Sequence, residues 1–350
     1  MIKNLCIHIG DHKSGTTSIQ TALVDPSLKV DGKSICYPTR RSHNGIAKKI
    51  TAKNETIFLR KRLTAIAEDF KNSDAEWGFL SAEEFEGFHA KALKNFISEW
   101  FPEHLETVKI VAYVRPHAQR LLSNFAEDVK IGCFDNDLNA YFDHEVRTKR
   151  FIYTPRFESW REVFGDRFIL RPMLRDQLAD GDVVLDFLSQ VCGTDNITLP
   201  EPKDTNSSLG LEDLAALREM HIACAERLPN WRHALGWHWQ TLMTDMPKGV
   251  KTTRVALDEQ LADKVLKAYR QDAAALDAAF FGGTQMLDCL EKDVQKTVPL
   301  PQSIRAEDHF GEAELYRLQI VARLVADMSA LLPKKQIDHI RNMTTEILLK

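Results

Sequence analysis

The sequence predicts an α/β fold in which a central parallel sheet is flanked by helices, followed by a helical C-terminal part. Short apolar runs alternate with helical stretches up to about residue 200, and this alternation is typical of parallel sheets. Residues 108–114 are nearly continuously apolar, as expected for a strand that is covered on both faces. After about residue 200 the patterns are long and helical, with no convincing strand. We therefore expect an α/β core in residues 1–205 and a helical subdomain in residues 206–350.

The individual elements follow from their local patterns. The first strand is the apolar run at residues 5–9, and a short strand at residues 34–37 is stopped by Pro38. An amphipathic helix is expected where Leu59, Leu63 and Phe70 fall on one face. The other predicted strands are residues 77–81, 108–114 and 167–170, and the other predicted helices lie near residues 18–23, 92–100, 121–129, 211–228, 257–281 and from 312 to near the C-terminus.

The composition favours a globular protein with reduced cysteines. Of 350 residues, 44% are apolar, which is enough for a sizeable core without metal or disulfide staples. The net charge of -4 argues against general nucleic-acid binding. Six cysteines are scattered without C-x-x-C spacing, and no signal peptide or transmembrane run is evident. We expect a cytoplasmic protein with no nucleic-acid partner and no stable membrane insertion.

A loop after the first strand has the character of an anion site. It contains Gly10, Lys13 and Gly15, and hydroxyl side chains follow at Ser14, Thr16, Thr17 and Ser18. A strand, a glycine-bearing loop and a helix N-terminus bring backbone N–H groups together, and the helix dipole favours negative charge there. With the lysine adding a full positive charge, the pattern predicts a loop that cradles a phosphate.

A second cluster of anion-binding groups follows the strongest strand. Arg115 comes directly after that strand, and the carboxyl ends of parallel strands are where ligands lie. Pro116 opens the next helix, since a missing N–H costs nothing at the first helical position. Arg120 and Ser123 share a face of that helix at i and i+3. A guanidinium and a hydroxyl that converge suit a phosphate monoester.

These two motifs together resemble a known family. The order G-x-x-K-S-G-T-T-S at residues 10–18 differs from the triphosphatase loop, in which lysine follows the second glycine. It resembles the 5′-phosphosulfate loop of sulfotransferases that use 3′-phosphoadenosine-5′-phosphosulfate (PAPS). Arg115 and Ser123 match the spacing of the motif that holds the 3′-phosphate in that family, although Pro116 follows the arginine sooner than usual. Weaker matches occur at residues 168–172, 181–188 and 206–209.

The resemblance implies a P-loop-like three-layer fold and sulfuryl transfer from PAPS to a hydroxyl, with adenosine 3′,5′-bisphosphate as the product. Lys13 would neutralise charge on the leaving oxygen, because sulfuryl transfer resembles phosphoryl transfer in its demands. Ser14, Gly15, Thr16, Thr17 and Ser18 would hold the 5′-phosphate and the sulfonate. No metal is expected, because the leaving group is a phosphate and not a polyphosphate.

The general base is not fixed by the resemblance, since family members use either a glutamate or a histidine at different positions. Glu83 and Glu84 follow the third strand at the expected ligand edge, where paired acids raise one another's pKa. The alternative is that these acids only stabilise a helix N-terminus. His43, in the loop after the second strand, has an ordinary pKa suited to a base. We favour Glu83 slightly over His43.

The acceptor is predicted by family analogy alone to be a small molecule or a glycan, with a hydroxyl on a carbohydrate as the default. Trp231, Trp237 and Trp239 suit either a sugar platform or a helical core. The main rival is a P-loop kinase, for which residues 79–84 would serve as a strand ending in a metal-facing acid. A second rival is a non-catalytic nucleotide-binding protein on the same scaffold. The oligomeric state is not predicted.

Overall fold

The computed structural model describes residues 1–39, 41–51, 56–201, 209–225, 229–245 and 252–332. The strands in chain order are β1 (Asn4–His8), β2 (Lys29–Val30), β3 (Trp77–Ser81), β4 (Lys109–Val114), β5 (Phe168–Pro172), β6 (Ile197–Thr198), β7 (Leu257–Asp258) and β8 (Thr297–Val298). The helices are α1 (Thr16–Val24), α2 (Asn44–Thr51), α3 (Ile57–Asn72), α4 (Ala90–Trp100), α5 (His117–Lys130), α6 (Leu138–Thr148), α7 (Thr154–Phe164), α8 (Val183–Cys192), α9 (Leu211–Ala223), α10 (Pro229–Asp245), α11 (Glu259–Leu276), α12 (Gln285–Asp293) and α13 (Glu312–Ala330).

The chain forms two compact units. The first comprises Met1–Pro116, Ile152–Pro202 and Asp272–Leu287. The second comprises His117–Phe151, Lys203–Gln271 and Asp288–Lys350. The predicted division into residues 1–205 and 206–350 is sequential, whereas these units alternate along the chain, and that division stays a prediction.

The first unit is built on a four-stranded parallel sheet with the order β3-β1-β4-β5. His8, the last residue of β1, lies beside Ser81 of β3 and Val111 of β4. The carboxyl ends of β3, β1 and β4 therefore meet at one edge of the sheet. The predicted α/β fold with a central parallel sheet is confirmed, and so is the apolar character of β4, whose residues from Ile110 to Val114 are all buried.

Helices cover both faces of this sheet. On one face, Cys6, Phe79 and Tyr113 pack in a common core with side chains of α1 and α8, among them Ile19 and Phe187. On the other face, α3 approaches so closely that a Cβ at Gly78 would lie 3.0 Å from the Phe70 ring. Helix, sheet and helix thus form three layers, as predicted. The burial of apolar area at both faces is the main source of stability in such an arrangement.

Three local expectations differ from the structure. The strand predicted at residues 34–37 is reduced to a bridge at Cys36, whose N–H donates to Trp77 and whose carbonyl accepts from Phe79. The helical C-terminal part contains one strand pair, β7 with β8, which is parallel. Each of its strands is two residues long, and so short a segment leaves no alternating pattern in the sequence. The helix predicted over residues 257–281 ends as a π-helical turn at Asp277–Phe281.

Within the described ranges, none of the helices has both the length and the apolar character that crossing a bilayer requires.

Candidate functional site

The loop between β1 and α1 has three residues in the left-handed backbone region. They are Gly10 with φ of 69°, Lys13 with φ of 63° and Gly15 with φ of 79°. A Cβ at Gly10 would lie 2.6 Å from the Glu83 Cα, and one at Gly15 would lie 2.9 Å from a Val183 methyl group. Both glycines are therefore required by backbone conformation and by space. Lys13 adopts the same region with a side chain, a strain that is typical of functional loops.

The loop is fixed to α7 by a buried ion pair that sequence reasoning missed. Arg156 donates from both Nη atoms to the Asp11 carboxylate, at 2.6 and 2.8 Å. Asp11 is fully buried, and its carbonyl accepts from the Ser14 N–H at 3.2 Å. The partners are separated by 145 residues, so no local pattern joins them. The one hint of this ion pair in the sequence was an acidic residue inside a loop whose other residues suit anion binding.

The predicted loop hydroxyls lie at the N-terminus of α1. Ser14 is buried, and among the described residues its Oγ has no hydrogen-bond partner. Thr16 is the first residue of α1, while Thr17 is exposed and Ser18 is half-buried. Buried polar atoms are nearly always paired, so the Ser14 hydroxyl fits an oxygen atom of a bound anion. The arrangement combines this hydroxyl with the N–H groups of the first helical turn, which have no acceptor within a helix.

Glu83 and Glu84 have different surroundings. Glu83 follows β3 at the start of a 3₁₀ turn, Glu83–Gly87. Its carboxylate accepts from the Thr16 hydroxyl at 2.9 Å and from the Asn44 amide at 3.2 Å. Glu84 instead forms an ion pair with Lys48 of α2, at 2.9 Å. Among the described residues, Glu83 is therefore the acid of this pair that forms a hydrogen bond with α1.

Charges of both signs surround the loop. The imidazole of His12 lies 3.7 Å from the Glu83 carboxylate and 3.8 Å from that of Glu86. The His12 N–H also donates to Glu86 at 3.1 Å. Glu86 thus holds the loop backbone from the side of β3, and Glu83 faces the His12 ring. Lys13, which is half-buried, brings the positive charge of the loop itself.

His43 is a buried residue at the same sheet edge. Its Nδ1 accepts from the Ser81 N–H at 3.1 Å, and its own N–H donates to the Ser81 carbonyl at 2.8 Å. Burial lowers the pKa of His43 to about 3. The ring is therefore neutral near pH 7 and carries its proton on Nε2, because Nδ1 is an acceptor. A ring in this state has no lone pair left to take a proton from a substrate.

A buried hydrogen-bond cluster supports the start of the loop. The Ser81 hydroxyl lies 2.9 Å from His8 Nδ1 and accepts from the Gln20 amide at 3.1 Å. Burial lowers the pKa of His8 to about 3, so this ring is also neutral. The cluster links the last residues of β1 and β3 to α1. Sequence reasoning missed it, because His8 and Gln20 appear there as ordinary members of a strand and a helix.

Arg115 and Ser123 are separated by the start of α5. Arg115 is half-buried and follows β4, the strand beside β1, at the edge where the loop lies. It belongs to the first unit, and Ser123, on α5, belongs to the second. Arg120 of the same helix is fully buried, with its guanidinium 5.6 Å from the Phe151 ring centre. The joint role of Arg115 and Ser123 stays a prediction.

The other residues singled out in the sequence are the Asn-x-Ser element and the tryptophans of α10. Asn206, Ser207 and Ser208 lie outside the described residues. The Lys130 ammonium of α5 lies 3.7 Å from the centre of the Trp237 ring of α10, so one face of that ring is occupied within the protein. Trp239 donates to Asp213 at 3.4 Å.

Across the described ranges, no group of three or more His, Cys, Asp or Glu side chains is placed to hold a metal ion.

No family model matches the chain, and no curated protein matches it in sequence. Among solved structures, the chain is similar to a sulfotransferase from Alicyclobacillus acidocaldarius, with a TM-score of 0.42 and 12% sequence identity. That similarity covers 80% of this chain and 96% of the other.

Proposed function

We propose that the chain is a PAPS-dependent sulfotransferase that transfers a sulfuryl group to a hydroxyl, with a carbohydrate as the acceptor. The observation that carries this proposal is the geometry of one sheet edge. There, the strained Lys13 loop follows the inner strand β1, Glu83 follows its neighbour β3, and Arg115 follows its other neighbour β4. A cation, an acid and a second cation at adjoining strand ends suit a nucleotide that carries two phosphate groups.

The loop would bind the 5′-phosphosulfate. The first-turn N–H groups of α1 and the buried Ser14 hydroxyl would hold its oxygen atoms, and Lys13 would lie against the bridging oxygen. Arg115 would bind the 3′-phosphate, and the role that the sequence predicts for Ser123 stays a prediction. Preorganised charges of this kind stabilise the negative charge that develops on the leaving oxygen. The buried pair of Asp11 and Arg156 supports this assignment, because it holds the loop in one conformation before ligand arrives.

Glu83 is the proposed general base. It would take the proton from the acceptor hydroxyl as the new oxygen–sulfur bond forms and the sulfur–oxygen bond to the 5′-phosphate breaks. Adenosine 3′,5′-bisphosphate would leave with the electron pair of the broken bond. Glu83 is preferred because its carboxylate is oriented by Thr16 and Asn44, whereas the Nδ1 atom of His43 is already an acceptor. Glu84 is directed to Lys48.

The test is transfer of labelled sulfate from PAPS to a panel of glycans, phenols and lipids. The wild-type chain is expected to label one acceptor class, and Lys13→Ala is expected to reduce turnover by about 10²–10³-fold. The mass of the product identifies the acceptor. Turnover that is unchanged in Lys13→Ala would overturn the proposal.

A nucleotide-dependent kinase is the second candidate, and one contact favours it. An acid at the end of β3 accepts from the hydroxyl of the first residue of α1. In P-loop kinases and triphosphatases the corresponding pair holds Mg²⁺. The position of Lys13, two residues before Gly15 and not after it, argues against this candidate.

The cytoplasm is the proposed location. All six cysteines lie in the described part of the chain, and no disulfide joins any of them. Thiols stay reduced in that compartment.

A further inference from the structure

The last described helix, α13, has an inner face and an outer face of different character. On the inner face, Ala322, Ala326 and Ser329 are buried, and the helix packs against α9. The opposite face carries large apolar side chains that are exposed. They are Tyr316 (65% exposed), Ile320 (50%), Leu324 (55%), Met328 (59%) and Leu331 (83%), and we call them the outer stripe of α13.

The outer stripe is a continuous surface and not a set of scattered residues. Its members are spaced by three or four residues, so their side chains lie one above another on one side of the helix. Isolated exposed apolar residues are normal on protein surfaces, but a contiguous apolar row indicates an interaction site. The charged residues beside the row then indicate which kind of partner fits.

Two exposed charged residues flank the stripe, and together with its apolar members they are arranged symmetrically along the sequence about Ala322. Arg317 and Asp327 are both exposed, and they lie five residues to either side of Ala322. Asp327 also forms an exposed ion pair with Arg323 of its own helix, at 3.2 Å, and its side chain stays more than half exposed to other partners. Tyr316 and Met328 lie six residues to either side of the same position, and Ile320 and Leu324 lie two. A two-fold axis at the level of Ala322 would therefore place four of the five stripe members opposite another large apolar side chain, and Leu331 lies beyond these pairs. Such self-complementarity is what an isologous contact requires.

We infer that the outer stripe of α13 pairs with the same stripe of a second copy of this chain, with the two helices antiparallel. Ile320 packs on Leu324 of the partner subunit, and Tyr316 packs on Met328 of the partner subunit. Arg317 forms an ion pair with Asp327 of the partner subunit, and the two-fold axis repeats that pair. Parallel pairing is disfavoured, because it would place Arg317 beside an identical charge.

The size of the surface sets the strength of this association. One helix from each protomer forms a small interface, and small interfaces give reversible complexes. Aromatic and methionine contacts of the kind formed by Tyr316 and Met328 are common at interface cores. We therefore expect a dimer that dissociates on dilution and does not require PAPS.

The experiment is sedimentation equilibrium of the full chain over a range of concentrations. Wild-type protein is expected to change from monomer to dimer in the micromolar range. Leu324→Gln, at an exposed position, is expected to weaken association by about tenfold or more, with the circular dichroism spectrum unchanged. Arg317→Asp and Asp327→Arg are each expected to weaken it similarly, and the double variant is expected to restore it.

The variants at Arg317 and Asp327 distinguish loss of this specific contact from a general effect of changed net charge. Lys264→Asp is the matched control, since Lys264 is exposed on α11 and lies outside the stripe. It should leave the dissociation constant within about threefold of wild type. The inference is overturned if the wild type stays monomeric at about 100 μM, because the stripe then belongs to a different partner. It is also overturned if the double variant associates no better than the single variants.

Discussion

Lys13 occupies a backbone conformation that glycine adopts without penalty. Its φ of 63° lies in the left-handed region, where a residue with a Cβ is less stable by about 1–2 kcal/mol. A lysine held there is expected to be retained for its ammonium group and not for stability. We predict that Lys13→Gly raises the free energy of unfolding by about 1 kcal/mol while it reduces sulfate transfer by about 10²–10³-fold. Urea denaturation and the PAPS assay measure the two effects separately.

A second lysine in the same conformation provides the control for that prediction. Lys149, which directly follows α6, has φ of 57° and is exposed. Lys149→Gly should stabilise the chain by a similar amount and leave turnover unchanged, because the residue lies outside the proposed site. Loss of activity in both variants would show that Lys13 contributes nothing particular to the reaction.

Glu83 and Glu84 are adjacent acids for which we predict opposite results. Glu83→Gln keeps the size of the side chain and removes its basicity, so turnover should fall by about 10²–10⁴-fold with little change in the Michaelis constant for PAPS. Glu84→Gln breaks a contact with Lys48 that is partly exposed, and it should change turnover by less than about threefold. Steady-state kinetics at saturating acceptor distinguish these outcomes. Equal effects in the two variants would remove Glu83 from the role of base.

His8 and His43 make the stability of the fold depend on pH. Burial lowers the pKa of each to about 3, from a usual value of 6.5. Between these values the unfolded chain binds more protons than the folded chain. The stabilisation is therefore complete above pH 6.5 and decreases as the pH falls towards 3. Each histidine contributes a slope of about 1.4 kcal/mol per pH unit within this window.

We predict that His43→Gln reduces the pH dependence of unfolding by about that slope. The free energy of unfolding should be measured by urea denaturation at several values from about pH 7 to pH 4. His238→Gln is the control, because His238 is exposed, and its slope should match that of the wild type. A slope that His43→Gln leaves unaltered would mean that His43 is not held neutral by the fold.

At the scale of elements, α10 packs against α5 through a glycine. A Cβ at Gly236 would lie only 1.9 Å from the carbonyl oxygen of Lys130, the last residue of α5. The same lysine is held by ion pairing with Glu127 at 2.7 Å and by the Gln240 amide oxygen at 2.8 Å. The overlap is with backbone, so it cannot be relieved by rotating a side chain.

We predict that Gly236→Ala destabilises the chain by about 1–3 kcal/mol or more, although alanine normally favours a helix. Gly45 of α2 is the matched control, since a Cβ there would meet nothing within 4 Å. Gly45→Ala should stabilise by about 0.5–1 kcal/mol. Chemical denaturation of both variants checks the prediction, and a stabilised Gly236→Ala variant would show that the two helices separate readily.

At the scale of the whole molecule, periodic and local patterns were predictable and distant contacts were not. The strand at residues 77–81 was predicted with the bounds it has, because its apolar run is bordered by clear breaks. The position of the Gly10, Lys13 and Gly15 loop between the first strand and the first helix was predicted from residue order, while the role of these residues stays a prediction. The pairing of Asp11 with Arg156 was not, because it depends on how two distant segments pack. The buried state of His43 was missed for the same reason, since a loop histidine gives no sign of burial.

Ligand-dependent stability is the most direct test of the nucleotide assignment for the chain as a whole. A ligand that binds only the folded state stabilises it by about 2.7 kcal/mol at a hundredfold excess over its dissociation constant. We predict that adenosine 3′,5′-bisphosphate raises the melting temperature by a few degrees without Mg²⁺, and more than adenosine 5′-phosphate does. The difference arises because only the bisphosphate offers a second phosphate group to Arg115.

Arg115→Met should therefore abolish the difference between the two nucleotides while the effect of the monophosphate persists. Arg270→Met is the control, since Arg270 is exposed and forms a surface ion pair with Glu291. That variant should respond as the wild type does.

Stabilisation by Mg-ATP alone would favour the kinase, because the pair of Thr16 and Glu83 would then serve a metal-bound triphosphate. Stabilisation by the bisphosphate in metal-free buffer would instead support the Lys13 loop as a site for phosphosulfate.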